Sequence, residues 1–144
     1  MKEIEYSYTV DALVHAGFEK VFAFLSSPES LGNWSLGCFD ASMDESRGVC
    51  VGHSLFSGVT TEVRIKPDKE RGKISFFLEH DGAWSPRIAI ELKDGQELGY
   101  GDGTTLIAMS AWRTGWMGEY DWERLKKCHD VEILMIKEQL ERKT

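Results

Sequence analysis

Proline is scarce in this chain. Of 144 residues only three are proline, Pro28, Pro67 and Pro86, and each falls at a predicted break between elements. Linker-like, repetitive or low-complexity stretches are also lacking, which predicts one domain over residues 1–144. There are three cysteines, Cys38, Cys50 and Cys128, an odd number without a Cys-x-x-Cys pair. Such usage argues against a disulfide framework and predicts reduced thiols in a cytoplasmic protein. Cys128 lies beside Lys126, Lys127 and His129 and is the one thiol with basic neighbours that could favour a thiolate.

No uncharged apolar run approaches the roughly 20 residues of a membrane helix, so no integral membrane segment is expected. The N-terminus begins with charge and then alternates, unlike a signal peptide. Positive charge is in deficit: 17 Lys and Arg stand against 24 Asp and Glu, for a net charge of −7. The basic residues are scattered, which argues against nucleic acid as a partner, since phosphates must be met by clustered Lys and Arg. HExxH, GxSxG, phosphate-binding glycine loops and paired Cys/His spacings do not occur, and the four histidines are dispersed. No metal or cofactor is therefore predicted.

What is present is a sequence of clear periodicities. Ile4 to Val14 alternates, with Tyr6, Tyr8, Val10, Ala12 and Val14 on one face, and reads as a half-buried strand. After Gly17, the residues Phe18, Val21, Phe22 and Leu25 fall at helical spacing. Ser26-Ser27-Pro28 ends that helix, and Ser27 can cap a second short one beginning at Pro28 and running to about Asn33. Strand-length segments follow at 38–44, 49–56, 59–66, 73–80, 87–93 and 104–114, separated by turn signals such as Asp81-Gly82. The chain ends in an amphipathic helix from Glu119 to about Arg142, with Trp122, Leu125, His129, Ile133, Ile136 and Leu140 on one stripe. Short turns between consecutive strands imply an antiparallel sheet. The predicted class is α+β: a curved antiparallel sheet of about seven strands around a long C-terminal helix, with two short helices between the first two strands.

Three stretches in this order, VHAGFEKVFAFLSSPESLGNW, GHSLFSGVTTEVRI and WERLKKCHDVEILMIKEQLER, resemble the START-like or SRPBCC superfamily. Its helix-grip fold is shared by the birch pollen allergen, polyketide cyclases and lipid-transfer domains. The resemblance spans nearly the whole chain. It implies a cavity between the concave sheet and the last helix, opening near the short helices. Members include carriers, cyclases, dehydratases and hydrolases, so the resemblance does not select a chemistry. One departure is AWRTGWMGEYDWERL, with three tryptophans where many members have a proline- and glycine-bearing loop.

Candidate site residues follow from placement. His129 interrupts the apolar stripe of the long helix and should face the sheet. It reads either as a ligand contact or proton mover, paired with His53 or Tyr8, or as a bonded core histidine. Trp34 marks the implied cavity mouth, and Trp112 is a second aromatic candidate, with Trp116 beside it as a plug. Phe39, Met43, Phe56, Phe76, Leu78, Ile90 and Met109 form a candidate apolar wall. Arg64, Arg87 and Arg113 could each anchor a carboxylate or phosphate; Arg64 and Arg87 alternate onto the polar face of their strands and read as solvated, whereas Arg113 near the implied mouth stays an open candidate. The expected partner is a hydrophobic or aromatic small molecule of lipid or polyketide kind. Two alternatives stand beside a carrier: a cyclase or dehydratase using cavity proton donors, and a protein-binding module like the relatives that activate a heat-shock ATPase. The sequence leaves room for a homodimer.

Overall fold

The computed structural model describes residues 4–142. Its elements are β1 (Ser7–Val14), α1 (Phe18–Leu25), α2 (Pro28–Trp34), β2 (Phe39–Asp44), β3 (Val49–His53), β4 (Thr60–Asp68), β5 (Lys73–His80), β6 (Ala83–Asp94), β7 (Thr105–Trp112) and α3 (Glu119–Glu141). The seven strands form one antiparallel sheet in the order β1-β7-β6-β5-β4-β3-β2. All neighbours except β1 and β7 are consecutive in the chain. The α1–α2 pair fills the connection that carries the chain from one edge of the sheet to the other.

Local signals explain the short helices. Ser27 caps α2, its hydroxyl oxygen accepting from the Ser30 N–H at 3.3 Å, and Pro28 occupies the first helical position, where no N–H is needed. α2 then lies so close to β2 that a Cβ on Gly32 would meet the Ala41 backbone nitrogen at 2.3 Å. Asp81-Gly82, both at positive φ, makes the tight β5–β6 turn, with His80 paired to Ala83.

Two prolines lie inside strands rather than at breaks. Pro67 pairs with Ile74, beyond the part of β4 that β3 reaches. Pro86 pairs with Phe77, beyond the part of β6 that β7 reaches. In both places the strand has a partner on one side, so the missing N–H costs no ladder bond on the other. β6 accordingly starts at Ala83, four residues before the predicted strand. β3 stops at His53, and Ser54–Val59, which the alternation assigned partly to that strand, is a loop. Its own bonds hold it: Ser54 N–H to Val59 O at 2.9 Å and Gly58 N–H to Ser54 O at 2.8 Å.

The concave face of the sheet divides into two zones. In the first, Ile74, Ile90, Leu92, Ile107 and Met109 close against Val21 and Leu25 of α1 and Ile133, Ile136 and Leu140 of α3, all 5 % exposed or less. Burying such side chains contributes about 1.5–3 kcal/mol each before entropy is subtracted. Polar contacts tie α3 to β1 along this zone: Lys137 Nζ donates to Leu13 O at 2.6 Å, and the His15 N–H donates to Glu141 Oε2 at 2.8 Å. In the second zone the sheet and α3 do not close.

Candidate functional site

The open zone is a hollow of about 530 Å³ between β4–β6, α2 and the first half of α3. Phe76, Leu78, Ile88 and Val63 supply its sheet wall, and Leu31 and Trp34 project from α2. The Trp34 ring meets Phe76 edge to face at 5.9 Å, which fixes both rings. The third wall is a stripe of α3, Asp121, Arg124, Leu125, Cys128, His129 and Glu132, at three- and four-residue steps. At the rim lie Phe56 of the Ser54–Val59 loop and Trp116 of the β7–α3 connection, both about half exposed. Arg124 places its guanidinium 4.9 Å from the Phe56 ring, and Trp116 stacks on His80 at 4.0 Å.

The polar groups inside this apolar frame are few. His129 Nδ1 lies 2.7 Å from Glu132 Oε1, and Glu132 Oε2 accepts the Leu36 N–H at 2.9 Å. A carboxylate accepts, so the proton sits on Nδ1 and the Nε2 of a neutral ring keeps its lone pair. Nε2 is buried without a hydrogen-bond partner among the described residues. The same holds for Trp34 Nε1 and for Arg87 Nε. Three of the five side-chain atoms in that condition thus belong to residues lining this one hollow. Buried polar atoms are nearly always bonded, so three unbonded ones on residues around one hollow are unusual.

Arg87 reaches the hollow through an irregularity in the sheet. The β5–β6 register runs Phe76↔Ile88 and then Phe77↔Pro86, so Arg87 is an extra residue facing no partner. A bulge of this kind breaks the alternation and re-aims its side chain. Arg87 therefore lines the hollow beside Ile88, where strict period two placed it outside with Glu91. Its guanidinium stands 5.8 Å from the Trp116 ring, at the outer limit of a cation–π contact. Burial lowers its pKa from the ordinary value.

Of the residues singled out from sequence, the fold brings Trp34, Phe56, Phe76, Leu78 and His129 together at the hollow. Ile90 and Met109 lie in the closed zone, fully buried. Phe39 and His53 pack edge to face on the β2–β3 pair, and Met43 on the edge strand is 40 % exposed, all outside the lining. Trp112 pairs with Ser7 on the face opposite to Met109 and Ala111 and points away. Neither His53 nor Tyr8 meets His129: the Tyr8 hydroxyl donates to Asp130 at 2.6 Å, and Glu132 is the partner. Arg113 is held by Glu119 at 3.1 Å. Sequence reasoning missed Glu132, and it weighed Arg87 as an anion anchor but placed it on the solvated face. Glu132 was signalled by its three-residue step from His129; Arg87 had no local signal beyond the adjacent Pro86.

The thiols are quiet. Burial pushes Cys50 and Cys128 up to about 11, and Cys38 is raised for the same reason. Among the described residues no three His, Cys, Asp or Glu side chains gather as a metal site would require, and no helix is long and apolar enough to cross a membrane.

No protein-family model matches the chain, and no curated protein sequence matches it. Solved structures do. A START superfamily protein from Mycobacterium smegmatis superposes with a TM-score of 0.61 at 13% identity, covering 95% of this chain and 98% of that one. The Aha1 dimer from Colwellia psychrerythraea gives 0.67 at 16%, covering 95% and 97%. The di-domain ARO/CYC BexL from the BE-7585A biosynthetic pathway gives 0.64 at 15%, covering 92% of this chain and 45% of that longer one. With the seven-stranded antiparallel sheet, the two short helices after β1 and the long terminal helix all in place, the chain has the helix-grip fold of the START-like superfamily.

Proposed function

We propose that this chain binds a hydrophobic or aromatic small molecule, lipid- or polyketide-like, in the hollow between the sheet and α3. The observation that carries the reading is the hollow itself. At about 530 Å³ it falls within the range of roughly 300–1,000 Å³ typical of small-molecule sites. Its walls are mainly apolar, and its few polar atoms include three that the protein leaves unbonded. A START superfamily protein and an ARO/CYC protein sharing this fold are consistent with such a use. Three free cysteines, all raised by burial, fit a reducing, cytoplasmic setting.

The test is titration with N-phenyl-1-naphthylamine, an uncharged probe that brightens in apolar surroundings. Binding should saturate at one probe per chain, with energy transfer from Trp34. Leu125→Trp fills the hollow from the α3 side and should weaken the probe about tenfold or more, since a wall atom then occupies its place. Equal binding by that variant, or no saturable binding, overturns the reading.

A second reading has its own support. His129 lines the hollow and is oriented by Glu132 through Nδ1, the arrangement of a positioned general base. In a cyclase- or dehydratase-type enzyme it would take a proton from carbon flanked by carbonyls. His129→Gln should then leave probe affinity within about threefold while abolishing deuterium exchange at such a carbon in a bound 1,3-diketone. Unchanged exchange, or none in the native chain, removes this version.

A further inference from the structure

The best-supported ligand class is narrower than "hydrophobic", and the narrowing comes from charge. Among the described residues, Arg47, Arg71, Arg113 and Arg124 each stand within 4.0 Å of a carboxylate. Arg64 and Arg87 have no such partner, and of these two Arg87 lines the hollow, alongside the paired Arg124. The two carboxylates in the lining are already engaged. Asp121 faces Arg124 at 3.9 Å, and Glu132 spends one oxygen on His129 and the other on the Leu36 N–H. A cation in a partly dehydrated site is unfavourable unless an anion joins it there.

The sheet supplies a second, independent observation. Arg87 is in the hollow only because β6 carries one residue too many opposite Phe76 and Phe77, beside a proline that cannot continue the ladder. Without the bulge its side chain would emerge on the outer face with Glu91, where water would solvate it. A bulge that turns a charge inward costs hydration, and that cost is offset when the charge is used. Trp116, stacked on His80, lies 5.8 Å from the guanidinium. The remaining unbonded atoms are a donor, Trp34 Nε1, and His129 Nε2, both on side chains at least nine-tenths buried.

We propose that the ligand is an aromatic carboxylate: its flat body lies between the Trp34–Phe76 pair and Leu125, and its carboxylate pairs with Arg87. This rests on the reading of the hollow as a small-molecule site and adds the charge. The planar guanidinium suits a carboxylate, which can accept two parallel hydrogen bonds from it. The apolar body is held by burial and supplies most of the affinity, and the ion pair selects among molecules of similar shape.

The test uses two molecules of nearly equal shape, 2-naphthoate and the neutral 2-naphthamide, titrated calorimetrically into the full chain at pH 7.5 and low salt. The native protein should prefer the carboxylate by about tenfold or more. Arg87→Gln should bring the two within about twofold by weakening only the carboxylate, while Arg87→Lys should keep part of the preference. Naphthamide binding retained by each variant shows that the hollow is intact. Equal affinity for both molecules in the native chain overturns the charge assignment and leaves the small-molecule reading standing. A preference that survives in Arg87→Gln overturns the role of Arg87. Failure of both molecules and of the uncharged fluorescent probe overturns both readings together.

Discussion

Glu132 lies one turn along α3 from His129, and the two are bonded at 2.7 Å with side chains 4 % exposed. Glu132 also fixes the segment after α2 through the Leu36 N–H. One carboxylate thereby sets the orientation of the imidazole and the position of the chain that carries Trp34. Removing it strands two donors in a dry place. Glu132→Ala is expected to cost about 3 kcal/mol in urea unfolding, and Glu132→Gln about 1–2, because the amide oxygen still serves one donor. The double variant with His129→Ala should be more stable than the sum of the singles by roughly 1 kcal/mol or more. Additivity within about 0.5 kcal/mol would mean the pair does not act as a unit.

Glu141 performs the corresponding task at the other end of α3. Its carboxylate takes hydrogen bonds from Lys137 Nζ at 2.7 Å and from the His15 N–H at 2.8 Å, and these bonds, the lysine's first, hold it below the usual 4.5. A carboxyl whose pKa is depressed on folding adds stability that is fully present above the unfolded value. That contribution disappears as pH falls through the folded value. Glu141→Gln should therefore lower Tm by roughly 2 °C at pH 7, with the gap to the native chain closing as pH falls below about 4.5. A gap that stays constant over that range would show that Glu141 acts by packing rather than by charge.

Gly32 shows how tightly the hollow's second wall is set. Because its missing Cβ would sit 2.3 Å from the Ala41 nitrogen, which is backbone and cannot swing aside, Gly32→Ala must lift α2 away from β2. Alanine is the better helix former by about 1 kcal/mol, so propensity alone predicts stabilisation. The close contact should win, with a net loss of about 2 kcal/mol or more. Leu31 and Trp34 move with the helix, so probe affinity should fall as well. Gly37→Ala, with nothing within 4 Å of the added carbon, is the control and should stay within about 0.5 kcal/mol of the native chain.

What could be read from the sequence was what local rules decide. Ser27-Pro28 announces a capped helix, Asp81-Gly82 a tight hairpin, and Trp122, Ile133, Ile136 and Leu140 a buried helix face, and the structure has each of them. Periodicity also identified the concave face, but it could not divide that face. Ile90 and Phe76 obey the same alternation, yet α1 and the end of α3 close over Ile90 while Phe76 looks into the hollow. That division depends on where the helices stop. Arg87 is the sharper case, because a single extra residue in β6 inverts the side chain's direction and only the pairing with β5 reveals it.

Cys128 gives a prediction in which sequence neighbours and structure point in opposite directions. Lys126, Lys127 and His129 adjoin it in the chain and suggest an activated thiol. On a helix, however, adjacent residues face different ways. Lys126 turns to Glu5, within 2.6 Å, and His129 to Glu132, so neither supplies positive charge to the sulfur. What reaches it is burial first, then the negative field of Glu132, and these outweigh the opposing charge of Arg124 and push the thiol up to about 11. At pH 8 the thiolate fraction is then about one in a thousand, against about one in four for an ordinary cysteine of pKa near 8.5. Alkylation of Cys128 by iodoacetamide at pH 8 should run about a hundredfold slower than that of a free thiol, as peptide mass mapping would show. Glu132→Gln removes the negative field without unburying the sulfur, so the rate should rise only modestly, by less than about tenfold. A native rate matching that of free cysteine would mean the sulfur is neither buried nor opposed by Glu132. Because Cys128 lines the hollow, a saturating ligand should slow the reaction further, which makes the same measurement a monitor of occupancy.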